Sequence, residues 1–134
     1  MPADIFADYG FTLVALGLSA GLFLVQLLVA DLAGIRAGHK PGNAIPADGR
    51  FLFRASRAHA NLNESFSAFI ALVIFGVAIG ASATGLNAGA GLYLLGRVAH
   101  MLCYYAGWHL LRSVAFGVSL LGLFVMLSVG LLAI

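Results

Sequence analysis

The feature that most constrains this chain is an apolar run from about Phe11 to Ala33, broken only by Gln26 and Asp31. A hydrocarbon core needs about 20 consecutive, mostly apolar residues from a crossing helix, so this run can span a bilayer with some tilt. The rest of the 134-residue chain continues the pattern, with 62% of residues hydrophobic, 9% charged and a mean hydropathy of +1.03. Four crossings would use roughly 80 residues, which leaves no room for a second domain. The expected fold class is therefore an all-α integral membrane protein, a four-transmembrane-helix bundle forming one domain over 1–134. Its helices are expected over about 11–35, 50–80, 90–111 and 113–134.

Residues Arg36 to Asp48 carry Lys40, Pro41, Gly42, Asn43 and Pro46, which forbid a continuous helix and mark the main loop. Gly80 to Gly89 is uncharged and small, and reads as a short second connection. Arg112 and Ser113 interrupt the apolarity further on, which predicts the third junction there. Every Lys and Arg except Arg97 lies at or near the first and third connections. By the positive-inside rule those loops face the cytoplasm and both termini lie outside. The start, Met1-Pro2-Ala3-Asp4, lacks the positive region of a secretory signal, so the first run is expected to remain as a membrane helix. Short loops suit a bacterial inner membrane, with the endoplasmic reticulum as the alternative.

Seven Lys and Arg against five Asp and Glu give a formal charge of +2, which argues against an extended nucleic-acid surface. The lone Cys103 has no partner for an intrachain disulfide and reads as packing. His59 and His109 stand at no recurring metal-ligand spacing, so no metal is expected. Trp108 and Tyr105 read as interfacial anchors, and Phe66, Phe69 and Phe75 as bundle core or lipid contacts. Gly17 with Gly21, and Gly76 with Gly80, are small-xxx-small pairs that let helices approach closely, within one chain or between chains.

Ionisable groups inside spans are expensive, and this chain concentrates them on two stripes. In the second span Arg57, Asn61 and Glu64 follow i, i+4, i+7 spacing, with Arg54 a turn earlier. Cationic forks, an amide and a carboxylate on one face suit a zwitterionic ligand. In the third span Arg97, His100 and Tyr104 form a second stripe, and Arg112-Ser113 follow at the predicted junction. The same groups could instead form a buried ion-pair network. Glu64 would then neutralise Arg57 or Arg97, Asp31 another arginine, and His100 would hydrogen-bond Tyr104 or Asn61.

The string Arg57-Ala58-His59-Ala60-Asn61-Leu62-Asn63-Glu64, followed by Gly96-Arg97-Val98-Ala99-His100 and Tyr104, resembles the MAPEG family, the membrane-associated proteins in eicosanoid and glutathione metabolism. Chain length, four spans and a basic first loop extend the resemblance over nearly the whole sequence. It implies a homotrimer with glutathione, as co-substrate, between neighbouring subunits near the cytoplasmic side. Arg57, Asn61 and Glu64 match positions that hold the tripeptide, and His100 and Tyr104 match third-helix contacts. Arg36 corresponds by position to a first-helix arginine that reaches a glutathione carboxylate. Arg97 belongs with a supporting ion-pair network, and Arg112-Ser113 with groups beside the sulfur. Two residues depart from the pattern: Ala60 where several members carry a cation, and Phe116 where some carry a tyrosine hydroxyl.

A free thiol near pKa 8.5 is mostly protonated at neutral pH, and a nearby arginine favours the nucleophilic thiolate. The resemblance thus implies a glutathione transferase or peroxidase acting on lipophilic electrophiles in detoxification, with Arg112 and Ser113 as catalytic residues. The alternative is a non-catalytic lipid-binding or scaffold membrane protein of the same fold. A small transporter is disfavoured, since the spans show no paired broken helices.

Overall fold

A computed structural model describes residues 4–134, and within them the chain forms four α-helices: α1 (Ile5–Arg36), α2 (Phe51–Ala78), α3 (Ala83–Ala106) and α4 (His109–Leu131). Residues 1–3 of the expected domain lie outside the described residues. α1, α2 and α4 are long and apolar enough to cross a membrane. α3 is not, because it carries Arg97, His100 and a run of small residues. It is the helix the chain itself covers most fully, from Leu86 and Tyr93 to Arg97 and Tyr104.

α1 starts earlier than the apolar run because Asp4 caps it, accepting from the amides of Phe6 at 3.2 Å and Ala7 at 3.4 Å. It ends on a turn through Gly38, whose φ of +65° lets the His39 amide reach back to the Gly34 carbonyl at 2.9 Å. The irregular first loop follows as expected, and α2 occupies almost the predicted range.

The second connection is much shorter than the sequence suggested, and the third helix begins at Ala83 rather than near residue 90. Ser82 caps it, and Asn87 ties it to α1. The Asn87 Oδ1 accepts from the Thr12 amide at 2.9 Å and hydroxyl at 2.7 Å, while its Nδ2 donates to the Asp8 carbonyl at 3.1 Å. The small residues there serve helix packing. A Cβ on Gly89 would stand 2.8 Å from the Gly122 carbonyl oxygen, and one on Gly96 would stand 2.5 Å from the Ser119 nitrogen. These pairs run antiparallel, bringing the α3 and α4 backbones together without intervening side chains.

The third junction also moves. α3 stops at Ala106, where Gly107 adopts φ +78° and the Trp108 amide bonds the Cys103 carbonyl at 2.8 Å. Arg112 therefore lies in the first turn of α4 with Ser113 beside it, and neither is in the junction. A polar interruption in an apolar run marks a helix face as readily as a helix end. The left-handed glycine is what ends this helix.

Between the helices lies a core of Leu62, Phe69, Val73, Leu86, Tyr93 and Met126, with Phe69 stacked on Tyr93 at 4.1 Å. Phe66 stacks on Phe23 at 5.5 Å, and Phe75 packs over Gly130, so Phe66, Phe69 and Phe75 all contact the bundle. Gly76 likewise packs inside the chain against Leu86, whereas a Cβ on Gly17 or Gly21 would meet nothing within 4 Å.

Candidate functional site

The site grows from one residue that the bundle buries, as expected, but with neutral partners in place of the expected ion pair. Arg97 is 1% exposed, and its guanidinium donates to the Asn61 Oδ1 at 2.6 Å and to the Ser65 hydroxyl at 2.5 Å. The Ser65 hydroxyl also lies 3.0 Å from that of Tyr93, and the guanidinium sits over the rings of Tyr93 and Phe116 at 5.6 and 5.3 Å. Its Nε finds no partner. Among the described residues no carboxylate forms an ion pair with it, so the groups in contact with its charge are neutral dipoles and ring faces.

On the other side of Asn61 and Phe116 opens a cavity of about 190 Å³, lined by Asn61, His100, Tyr104, Arg112, Ser113 and Phe116. α2, α3 and α4 each contribute to it. Arg112 stacks on Tyr104 with its guanidinium carbon 4.4 Å from the ring centroid. His100 meets Tyr104 edge to face at 5.0 Å and lies 6.3 Å from the Phe116 ring. Ser113 donates to the His109 carbonyl at 3.2 Å, so its hydroxyl must rotate to serve a ligand. Arg112 stands in the wall, Arg97 lies behind it, and none of the described lining residues is acidic. Such a cavity favours an anion.

The model of the MAPEG family matches residues 11–132. The chain belongs to the MAPEG family. No curated protein matches it. MAPEG proteins are membrane proteins, and with three helices apolar enough to span, this one is an integral membrane protein in contact with the bilayer. Membership suggests a role in membrane-associated glutathione or eicosanoid metabolism.

Within this MAPEG chain the cavity brings together Asn61, His100, Tyr104, Arg112 and Ser113 of the expected site. It does not include the other three. Arg57 and Glu64 are exposed on the outer face of α2, and Asn61, turned about 40° around the helix from Arg57, points instead toward α3. Arg36 lines a separate cavity under the first loop. Arg54 is held by backbone, donating to the Gly49 carbonyl at 2.6 Å and the Tyr105 carbonyl at 3.3 Å.

The ion-pair network does not form within the chain. Among the described residues the one ion pair joins Arg50 and Asp48 at 3.6 Å in the exposed loop. Arg97 bonds neutral groups, and His100 meets Tyr104 through ring faces rather than a hydrogen bond. Tyr105 packs its ring against Phe51 at 5.4 Å, while Trp108 is 57% exposed. Cys103 is buried, and His59 is half-buried against Phe23. Sequence reasoning missed Ser65 and Tyr93. The available signal was their spacing, one turn after Asn61 and one turn before Arg97, on the faces those residues share.

Proposed function

We propose that the protein is a membrane-bound glutathione transferase or peroxidase that activates the glutathione thiol against lipophilic electrophiles. The observation that carries this reading is the cavity whose wall holds Arg112, with the uncompensated Arg97 behind it and no acidic residue among its described lining. A carboxylate and a thiolate are the anions glutathione offers, and both suit such a field.

The tripeptide brings the nucleophilic sulfur; the chain's residues bind and orient it. Arg112 favours the thiolate over the thiol, and its stacking on Tyr104 fixes the guanidinium in the wall. Asn61, held by Arg97, presents its amide in a fixed direction. Ser113 offers a hydroxyl to the sulfur once released from the His109 carbonyl. Holding the thiolate in a cavity of a membrane-embedded chain raises its effective concentration toward a membrane-dissolved electrophile.

A cavity of about 190 Å³ falls below the 300–1,000 Å³ or so common for ligand sites, so one chain holds only part of the tripeptide. The remaining anchors are on the outer face of α2. Glu64 is exposed about 20 Å along that helix from Phe51, where a carboxylate facing lipid would cost roughly 3 kcal/mol. A neighbouring copy covering Arg57 and Glu64 removes that cost and closes the site, which supports assembly as a homotrimer. Glu64 then suits the glutathione amino group and Arg57 a carboxylate. The chain's Lys and Arg other than Arg97 cluster at or near the first and third connections, which supports a cavity on the cytoplasmic side.

The second reading, a non-catalytic lipid-binding member of the fold, draws on the occupied Ser113 hydroxyl and on Phe116, which supplies no hydroxyl to the cavity. Replacing Arg112 with Leu separates the two. Under the enzyme reading, thiolate absorbance disappears and turnover with a panel of electrophiles drops about 100-fold, close to the lower end for loss of one transition-state donor, while assembly persists. Wild-type protein that binds glutathione without thiolate absorbance or turnover would leave the lipid-binding reading standing.

A further inference from the structure

A second cavity, larger than the one beside Arg112, lies apart from this site. About 790 Å³ in volume, it is enclosed by the end of α1, the first loop and the first turn of α2. Its polar wall carries Arg36, His39, Lys40 and Arg50. One carboxylate, Asp48, shares the wall and is engaged by Arg50 at 3.6 Å, so Arg36 and Lys40 have no ionic partner among the described residues. Its other wall is apolar, built from Ala33, Ile45, Leu52 and Phe53.

The chain continues both characters outward. Leu32 and Ile35, on the last turns of α1, are 49% and 74% exposed, so the apolar side adjoins the part of the helix that faces lipid. The cationic side comes from the loop at the end of two spans, the depth of the lipid headgroups. No side chain caps the first turn of α2, which leaves backbone donors at the same edge.

We infer that this cavity binds an anionic phospholipid of the surrounding leaflet, its phosphate held among Arg36, Lys40 and Arg50 and its acyl chain running out past Leu52 and Ile35. The volume falls in the range of ligand sites, and cations at headgroup depth attract anionic lipid by about 1 kcal/mol each, a factor of about five. The family resemblance assigns Arg36 to a glutathione carboxylate, but it lines the first-loop cavity and not the cavity of Arg112, and the lipid site needs neither glutathione nor Arg112.

Native mass spectrometry of the detergent-solubilised full chain, titrated with phosphatidylglycerol or with phosphatidylcholine of the same acyl chains, tests the inference. Phosphatidylglycerol is expected to bind more tightly. The double variant Lys40→Gln/Arg50→Gln is expected to weaken it roughly tenfold or more, and Asp48→Asn to strengthen it. Lys40→Gln alone serves should the double variant fail to fold, because that side chain makes no hydrogen bond or ion pair among the described residues. Equal affinity for the two lipids, or no response to the Lys40 and Arg50 substitutions, would overturn the inference. So would complete displacement of phosphatidylglycerol by millimolar inorganic phosphate, which would make this a site for the free anion.

Discussion

The polar stripes of α2 and α3 are written in similar residues and end in opposite places. α3 turns Arg97, His100 and Tyr104 into the bundle, where Asn61, Ser65 and aromatic faces receive them. α2 turns Arg57 and Glu64 outward, where neither has an ion-pair partner among the described residues. An intramembrane charge must be solvated by something other than lipid. The first stripe is solvated by its own fold and the second calls for a second molecule, so the proposed binding site lies where an intrachain surface meets an interchain one.

That contrast depends first on how closely α3 sits against α4. Gly96→Val would push a side chain into the Ser119 nitrogen and the Ala115 carbonyl, both backbone and unable to yield. A loss of about 3 kcal/mol or more is expected, read from thermal unfolding of solubilised protein. An unchanged transition would break the close-packed account of the inward stripe.

Asn61→Leu asks how much the neutral partners matter. It removes the 2.6 Å acceptor of a buried guanidinium and should cost about 2 kcal/mol of stability by chemical denaturation. A neutral result would mean that another group already solvates Arg97.

The smallest effect belongs to the outer side. Gly17→Ala adds a methyl group where no atom lies within 4 Å, and should shift stability by less than about 1 kcal/mol, toward the stable side. Set beside Gly96→Val, it compares one residue type inside and outside the bundle. A large loss at Gly17 in the assembled protein, absent from the dissociated chain, would place α1 in the interface as well.

Much of this architecture was legible in the sequence because hydropathy and charge report directly on membrane solvation. Asp31 and Gln26 did not break the first helix, and Pro41 and Pro46 did mark the first loop. Helix ends were harder to read. Ser82-Ala83-Thr84-Gly85 resembles a turn in isolation, yet only its first residue caps, the other three are already helical, and Gly85 packs against Val129 of α4. Arg112-Ser113 resembled a break because polar residues in a span carry the same signal whether they end a helix or line a cavity. For the site, spacing placed Asn61, His100 and Tyr104 on stripes, but periodicity within one helix cannot say which stripe faces another helix. It could not reveal that Arg97 is received by Ser65 and Asn61, since those bonds are long-range and involve neutral groups. Arg36 matched by position alone, and it stands in the first-loop cavity.

The central claim is that the inward and outward stripes together bind glutathione, and calorimetric titration of the tripeptide into detergent-solubilised, assembled protein tests it most directly. The account predicts saturable binding that Glu64→Gln weakens about tenfold, or about 1.4 kcal/mol, with assembly unchanged. No saturable binding to well-folded, assembled protein, or binding indifferent to Glu64, would contradict it.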